Sequence, residues 1–186
     1  MTDCFAFFGL VRRPLLDEAV LKEKYLQLAA ETHPDSQDGD EAQFRAVQEA
    51  YRTLLDPATR LRHLLELEFG TTQKTTLPKH QDLFLLVGGV MQQAKTIQQH
   101  LEKSKSTLAR ALLAQDRNLV LKKLHDAAHS VNQARETLDC DLAALDTRWP
   151  EAGATELAEL AAGLTFLTRW QFELAEMEFR LAHEGG

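Results

Sequence analysis

Three consecutive residues, His33-Pro34-Asp35, bring an imidazole, an imino acid and a carboxylate together where the chain cannot stay helical. Proline fixes its own φ and pushes the residue before it toward extended backbone, so a helix arriving at Thr32 has to stop at His33. Asp35 and Ser36 then favour a turn over a helix interior. The result is a stiff corner presenting one imidazole and one carboxylate. Such a corner can dock on another molecule through hydrogen bonds, but it has no partner group with which to catalyse.

Other residues with chemical potential point to structure. His125 and His129 stand four apart, a spacing that sets both imidazoles on one helix face, where Asp126 or Asp139 could complete a metal site. There is no His-Glu-x-x-His arrangement, and two surface histidines on a charged helix is the better reading. Trp149, Trp170, Phe172 and Phe179 read as bundle core. No glycine-rich phosphate loop, nucleophile elbow or paired-carboxylate cleft is visible. The expectation is a protein that is not an enzyme, with no metal and no cofactor.

Composition narrows the partners. A hydrophobic share of 44% and a charged share of 26% over 186 residues place the chain among globular proteins able to bury a core. A net charge of −7 argues against nucleic acid, whose phosphates demand a concentrated basic patch. Cys4 and Cys140 stand far apart without a Cys-x-x-Cys pattern, as expected in a reducing compartment. No apolar run is long enough for a membrane span, and Met1-Thr2-Asp3 lacks the basic start of a signal peptide. These features predict a cytoplasmic protein with no membrane attachment.

The elements that must hold the corner follow from periodicity. Asp17 is a candidate N-cap for a helix carrying Leu21, Tyr25 and Leu28 up to about Thr32. Gln37-Asp38-Gly39 reads as loop. Asp40, with Gln43 three residues on, resembles a capping box before Phe44, Val47, Tyr51 and Leu54. The two helices form an antiparallel hairpin with His33-Pro34-Asp35 at its tip. Phe5 and Phe8, closed by Gly9, make a short aromatic anchor. Asp56-Pro57 restarts a third helix carrying Leu61, Leu64 and Leu65 up to Gly70.

A short aromatic helix, a helix ending at His-Pro-Asp and a helix closing on Gln48-Glu49-Ala50-Tyr51-Arg52-Thr53-Leu54-Leu55-Asp56-Pro57 together resemble a J-domain. Phe5-x-x-Phe8-Gly9-Leu10 and Pro57-x-x-Arg60-x-x-His63-Leu64-Leu65 resemble the HscB subfamily more closely. The resemblance implies a co-chaperone that docks on a DnaK/HscA-type ATPase chaperone through His33, Pro34 and Asp35, stimulates ATP hydrolysis, and presents a client, the IscU-type iron-sulfur cluster scaffold. Lys22 and Lys24 are the cations expected to assist docking. With so few, steering is weaker, since complementary charge acts mainly on association rate. The alternative is a J-like helical scaffold that binds without stimulating.

After a linker at residues 71–81, long amphipathic patterns predict an antiparallel three-helix bundle over residues 82–186, so the fold class is all-α, with a J-domain at residues 1–70. The first helix is expected from Asp82 to Ala114, its stripe including Ile97, Leu101, Leu108 and Leu112, with Gly88-Gly89 as its weak point. The second starts near Asp116 and ends before Pro150; the third follows Thr155. Leu83 to Met91 is apolar on every side, more than one buried stripe requires. In the HscB-type resemblance the corresponding region receives the client, which makes Leu83, Leu86, Val90 and Met91 candidates for client contact, unless the segment packs against the rest of the chain.

Overall fold

The computed structural model describes residues 2–35, 39–70, 81–104, 106–151 and 153–183. The described residues are all-α, with no strand among them, in the order α1 Cys4–Phe7, α2 Glu18–Thr32, α3 Glu41–Leu55, α4 Pro57–Phe69, α5 Gln81–Lys103, α6 Thr107–Thr147 and α7 Ala154–His183. The chain forms two compact units, residues 1–76 with 139–162, and residues 77–138 with 163–186. Most of the expected linker, and Ser36 to Asp38 of the expected turn and loop, lie outside the described residues.

In the first unit the helix boundaries are written by aspartates. Asp17 accepts from the Ala19 and Val20 amides at 2.9 and 3.3 Å, Asp40 from Ala42 at 2.8 Å, and Asp56 from Thr59 at 2.8 Å, each satisfying donors that a helix start leaves orphaned. Pro57 occupies the first turn of α4, and Gly70 ends it in the left-handed region with φ 65°. α2 packs on α3, where Tyr25 and Tyr51 stack with ring centroids 4.1 Å apart. α3 in turn carries α1 and α4, burying Phe5, Leu54, Leu61 and Leu64 completely.

Between α1 and α2 the chain runs as a strap over residues 12–15, and every residue of it is bonded. Trp149 Nε1 donates to the Arg12 carbonyl at 2.8 Å; the Arg13 guanidinium donates to both oxygens of Asp146; Arg60 Nε donates to the Pro14 carbonyl at 2.8 Å; and the Leu15 amide donates to Asp146 Oδ1 at 3.0 Å. The first unit is thus completed by the end of α6 and the turn after it.

The second unit is the three-helix bundle. Asn132 bonds Gln171, Arg135 bonds Thr168, and His125 lies 3.9 Å from Glu178, so numbers rise along α6 as they fall along α7 and the two are antiparallel. Leu124, Leu167, Leu174 and Leu181 are fully buried. A small residue makes one close approach possible: a Cβ built on Gly163 would stand 2.8 Å from Leu138 Cδ1.

Three sequence expectations are corrected here. The helix from residue 82 breaks after Lys103, not near Ala114, and Gly88-Gly89 lies within continuous helix. Glycines inside a helix cost conformational freedom but leave its hydrogen bonds in place, so Gly88-Gly89 does not end it. Because the break resets the helical phase, Leu108 and Leu112 are 71% and 72% exposed instead of continuing the Leu101 stripe. Phe172 and Phe179, seven apart on α7, point outward, whereas Trp170 is buried as expected.

Candidate functional site

The His33-Pro34-Asp35 corner sits where α2 ends. His33 has ψ 134°, the extended geometry imposed by the proline that follows. Behind it the Asp40 amide donates to the Thr32 carbonyl at 3.2 Å, joining the two limbs of the hairpin. The Asp35 amide donates to His33 Nδ1 at 3.2 Å. The Asp35 side chain remains 92% exposed, its Oδ2 3.7 Å from the same nitrogen, too far for a hydrogen bond. The His33 ring stands edge-on to Phe44 of α3, centroids 5.2 Å apart at 73°. The imidazole thus leans on Phe44 while staying 47% exposed, and the carboxylate is exposed almost completely.

The two candidate lysines do not form one patch. Residues two apart on a helix point to opposite sides. Lys22 is exposed, while Lys24 is half-buried, with its ammonium beside Gly9.

Sequence patterning did not reveal the polar interior that holds the hairpin in place. Arg60 is 3% exposed and donates to the Pro14 and Leu54 carbonyls at 2.8 and 2.7 Å. Burial lowers its pKa, opposed by the charges of Glu18, Asp56 and Asp146. His63, also buried, accepts the Cys4 amide at Nε2 and stacks on Phe5 at 5.9 Å. Burial pushes its pKa below the usual imidazole value, keeping it neutral. Burial also raises the Cys4 thiol. At Asp146 burial acts upward, but the Arg13 hydrogen bonds, the Leu15 amide and the charges of Arg13 and Arg60 together hold the carboxyl below its ordinary range.

In the second unit, Leu83 and Met91 are half-buried and Leu86 is 47% exposed, but Val90 is buried. Val90 is thus withdrawn from the candidate surface: with Val87, Ala94 and Leu101 it forms the core-facing stripe of α5. Phe84 and Leu85, not singled out by sequence, are exposed in its place. Phe84 stacks on Phe166, centroids 5.6 Å apart, and tilts against Trp170, so this apolar start of α5 is braced by α7. His125 and His129 lie on the surface, and no cluster of three metal-ligating groups occurs among the described residues.

Residues 3–63 match the family described as DnaJ domain. Over 80 residues the chain is 39% identical to the co-chaperone protein HscB homolog of Chromobacterium violaceum, covering 39% of this chain and 46% of that relative, which is about half its length. The HscB homolog of Haemophilus ducreyi is 26% identical over 153 residues, covering 67% of this chain and 88% of that protein. The chaperone HscB from Vibrio cholerae superposes with a TM-score of 0.63 at 18% identity, over 97% of this chain and 99% of the other, a likeness of fold.

Proposed function

We propose that the chain is a J-domain protein of the HscB type and works as a co-chaperone, docking its His33-Pro34-Asp35 corner on a DnaK/HscA-type ATPase. The observation that carries this reading is the division of labour at the corner. His33 stabilises the turn from within, leaving the Asp35 carboxylate 92% exposed on a stiff support. An exposed carboxylate held in this way suits a charge-assisted hydrogen bond from a partner arginine. Binding the hydrolysis-competent conformation more tightly than the resting one raises ATP turnover, because a ligand shifts an equilibrium only by its unequal affinity for the two states. In this reading catalysis belongs to the partner.

The client is an IscU-type scaffold, received on the apolar start of α5. Leu86 with the adjoining Phe84 and Leu85 supplies the exposed surface, flanked by Leu83 and Met91. Two thiols with no disulfide between them, Cys4 and Cys140, fit a cytoplasmic setting, and no helix among the described residues is long and apolar enough to cross a membrane.

Single-turnover ATP hydrolysis by the chaperone, measured with this protein and with Asp35→Asn, tests the docking reading. Stimulation that disappears in the variant supports it; equal rates reject it. A scaffold that binds without stimulating is the second reading, favoured by the separation of Lys22 from Lys24 around α2. It predicts client capture with no stimulation by either form.

A further inference from the structure

The aromatic residue behind the corner has a role of its own. Phe44 recurs with Val47, Tyr51 and Leu54 at core spacing, yet it is only half-buried, in the first turns of α3. Its ring meets His33 edge-on, centroids 5.2 Å apart and planes at 73°, an arrangement in which the positive edge of one ring faces the negative face of the other. The same imidazole takes the Asp35 amide on Nδ1. An imidazole on a short exposed turn otherwise rotates about two side-chain bonds, and only one orientation places Nδ1 over the amide two residues ahead. α3 itself is tied to the end of α2, since the Asp40 amide bonds the Thr32 carbonyl and the Asp40 carboxylate caps Ala42.

From this chain of contacts we infer that Phe44 is a positioning residue: it sets the His33 ring, the ring fixes the Asp35 amide, and the carboxylate is thereby aimed away from the hairpin. The effect on docking rests on the function proposed above; the effect on the corner does not. The aromatic face is what matters, so leucine at 44 keeps volume but loses the interaction, whereas tyrosine keeps it.

The full chain carrying Phe44→Leu, Phe44→Ala or Phe44→Tyr tests this in two measurements. Imidazole nitrogen chemical shifts report the His33 tautomer, and the Asp35 amide proton shift reports its hydrogen bond. Loss of the single tautomer and of the bonded amide shift in Phe44→Leu and Phe44→Ala, with both retained in Phe44→Tyr, is the expected result. Unchanged signals in Phe44→Leu and Phe44→Ala overturn the inference. In the ATPase titration the concentration giving half-maximal stimulation should rise about threefold to tenfold in Phe44→Leu, as expected for losing one aromatic contact, while the stimulation at saturation persists. An unchanged half-maximal concentration, despite altered nuclear signals, would confine Phe44 to shaping the free corner and overturn its role in docking. If Asp35→Asn stimulates as well as the parent, the docking reading fails, and the nitrogen and amide shifts still decide what Phe44 does to His33.

Discussion

The Cys4 amide donates to His63 Nε2 at 3.0 Å across 59 residues of sequence, so the first turn of α1 is anchored by a side chain of α4. The bond requires a neutral imidazole, because a protonated ring has no acceptor to offer. Burial lowers the His63 pKa, with partial opposition from Asp3 and Glu66. In the pH range below the ordinary value of 6.5 the unfolded chain takes up a proton that the folded one refuses. Stability at this site is therefore full above 6.5 and declines as pH falls toward the folded value. Denaturant midpoints from pH 7.5 to 5 should show this decline, and the share due to His63 should vanish in His63→Phe. An identical slope in the variant would assign the decline to other groups.

His63→Ala should also cost about 1–3 kcal/mol at neutral pH, the penalty for leaving the buried Cys4 amide without an acceptor. Urea unfolding provides the measurement.

Arg60 spans two backbone segments, and its geometry cannot be copied by a single ammonium. Arg60→Ala leaves the Pro14 and Leu54 carbonyls without these donors and should lose about 3 kcal/mol or more. Arg60→Lys keeps the charge but not the planar fork, so it should recover only part of that loss. Equal stability of Lys and Arg variants would show that the charge alone matters.

Asp146 governs an acidic limb. Its folded pKa lies below the ordinary 3.8, so its stabilising contribution is present above 3.8 and is lost as pH falls through the folded value. Asp146→Asn should flatten that part of the acid denaturation profile and lower stability at neutral pH, where the Arg13 pairing is complete. Circular dichroism between pH 5 and 2 distinguishes the two proteins.

Gly88 and Gly89 are helical with open space where a Cβ would go, so Gly88→Ala and Gly89→Ala should each raise stability, by about 1 kcal/mol, through helix propensity. Gly163→Ala meets Leu138 Cδ1 at 2.8 Å in the core and should not share the gain. Thermal melts of the three variants make the comparison directly.

What could be read in the sequence was local. Asp17, Asp40 and Asp56-Pro57 marked helix starts because capping is decided within three residues, and Gly70 marked an end for the same reason. The corner at His33 was legible because proline acts on its immediate neighbour. The break after Lys103 was missed because two separate serines, Ser104 and Ser106, are a weaker written signal than two consecutive glycines. Leu108 and Leu112 were assigned to the core on spacing and Phe172 and Phe179 as large apolar rings, yet neither property says which of several apolar stripes finds a neighbour. Val90 was placed on a surface for the same reason. Bonds such as Arg13 to Asp146, 133 residues apart, leave no periodic trace at all.

The strap over residues 12–15 makes the segment that matches the DnaJ domain model, residues 3–63, a poor candidate for use as a detachable cassette. A fragment cut near residue 70 would keep Arg60 under Pro14 but lose Asp146 and Trp149, the groups that receive Arg13, the Leu15 amide and the Arg12 carbonyl. Grafting this module onto another body, or swapping in a foreign one, therefore means transplanting the far end of α6 and the turn after it as well.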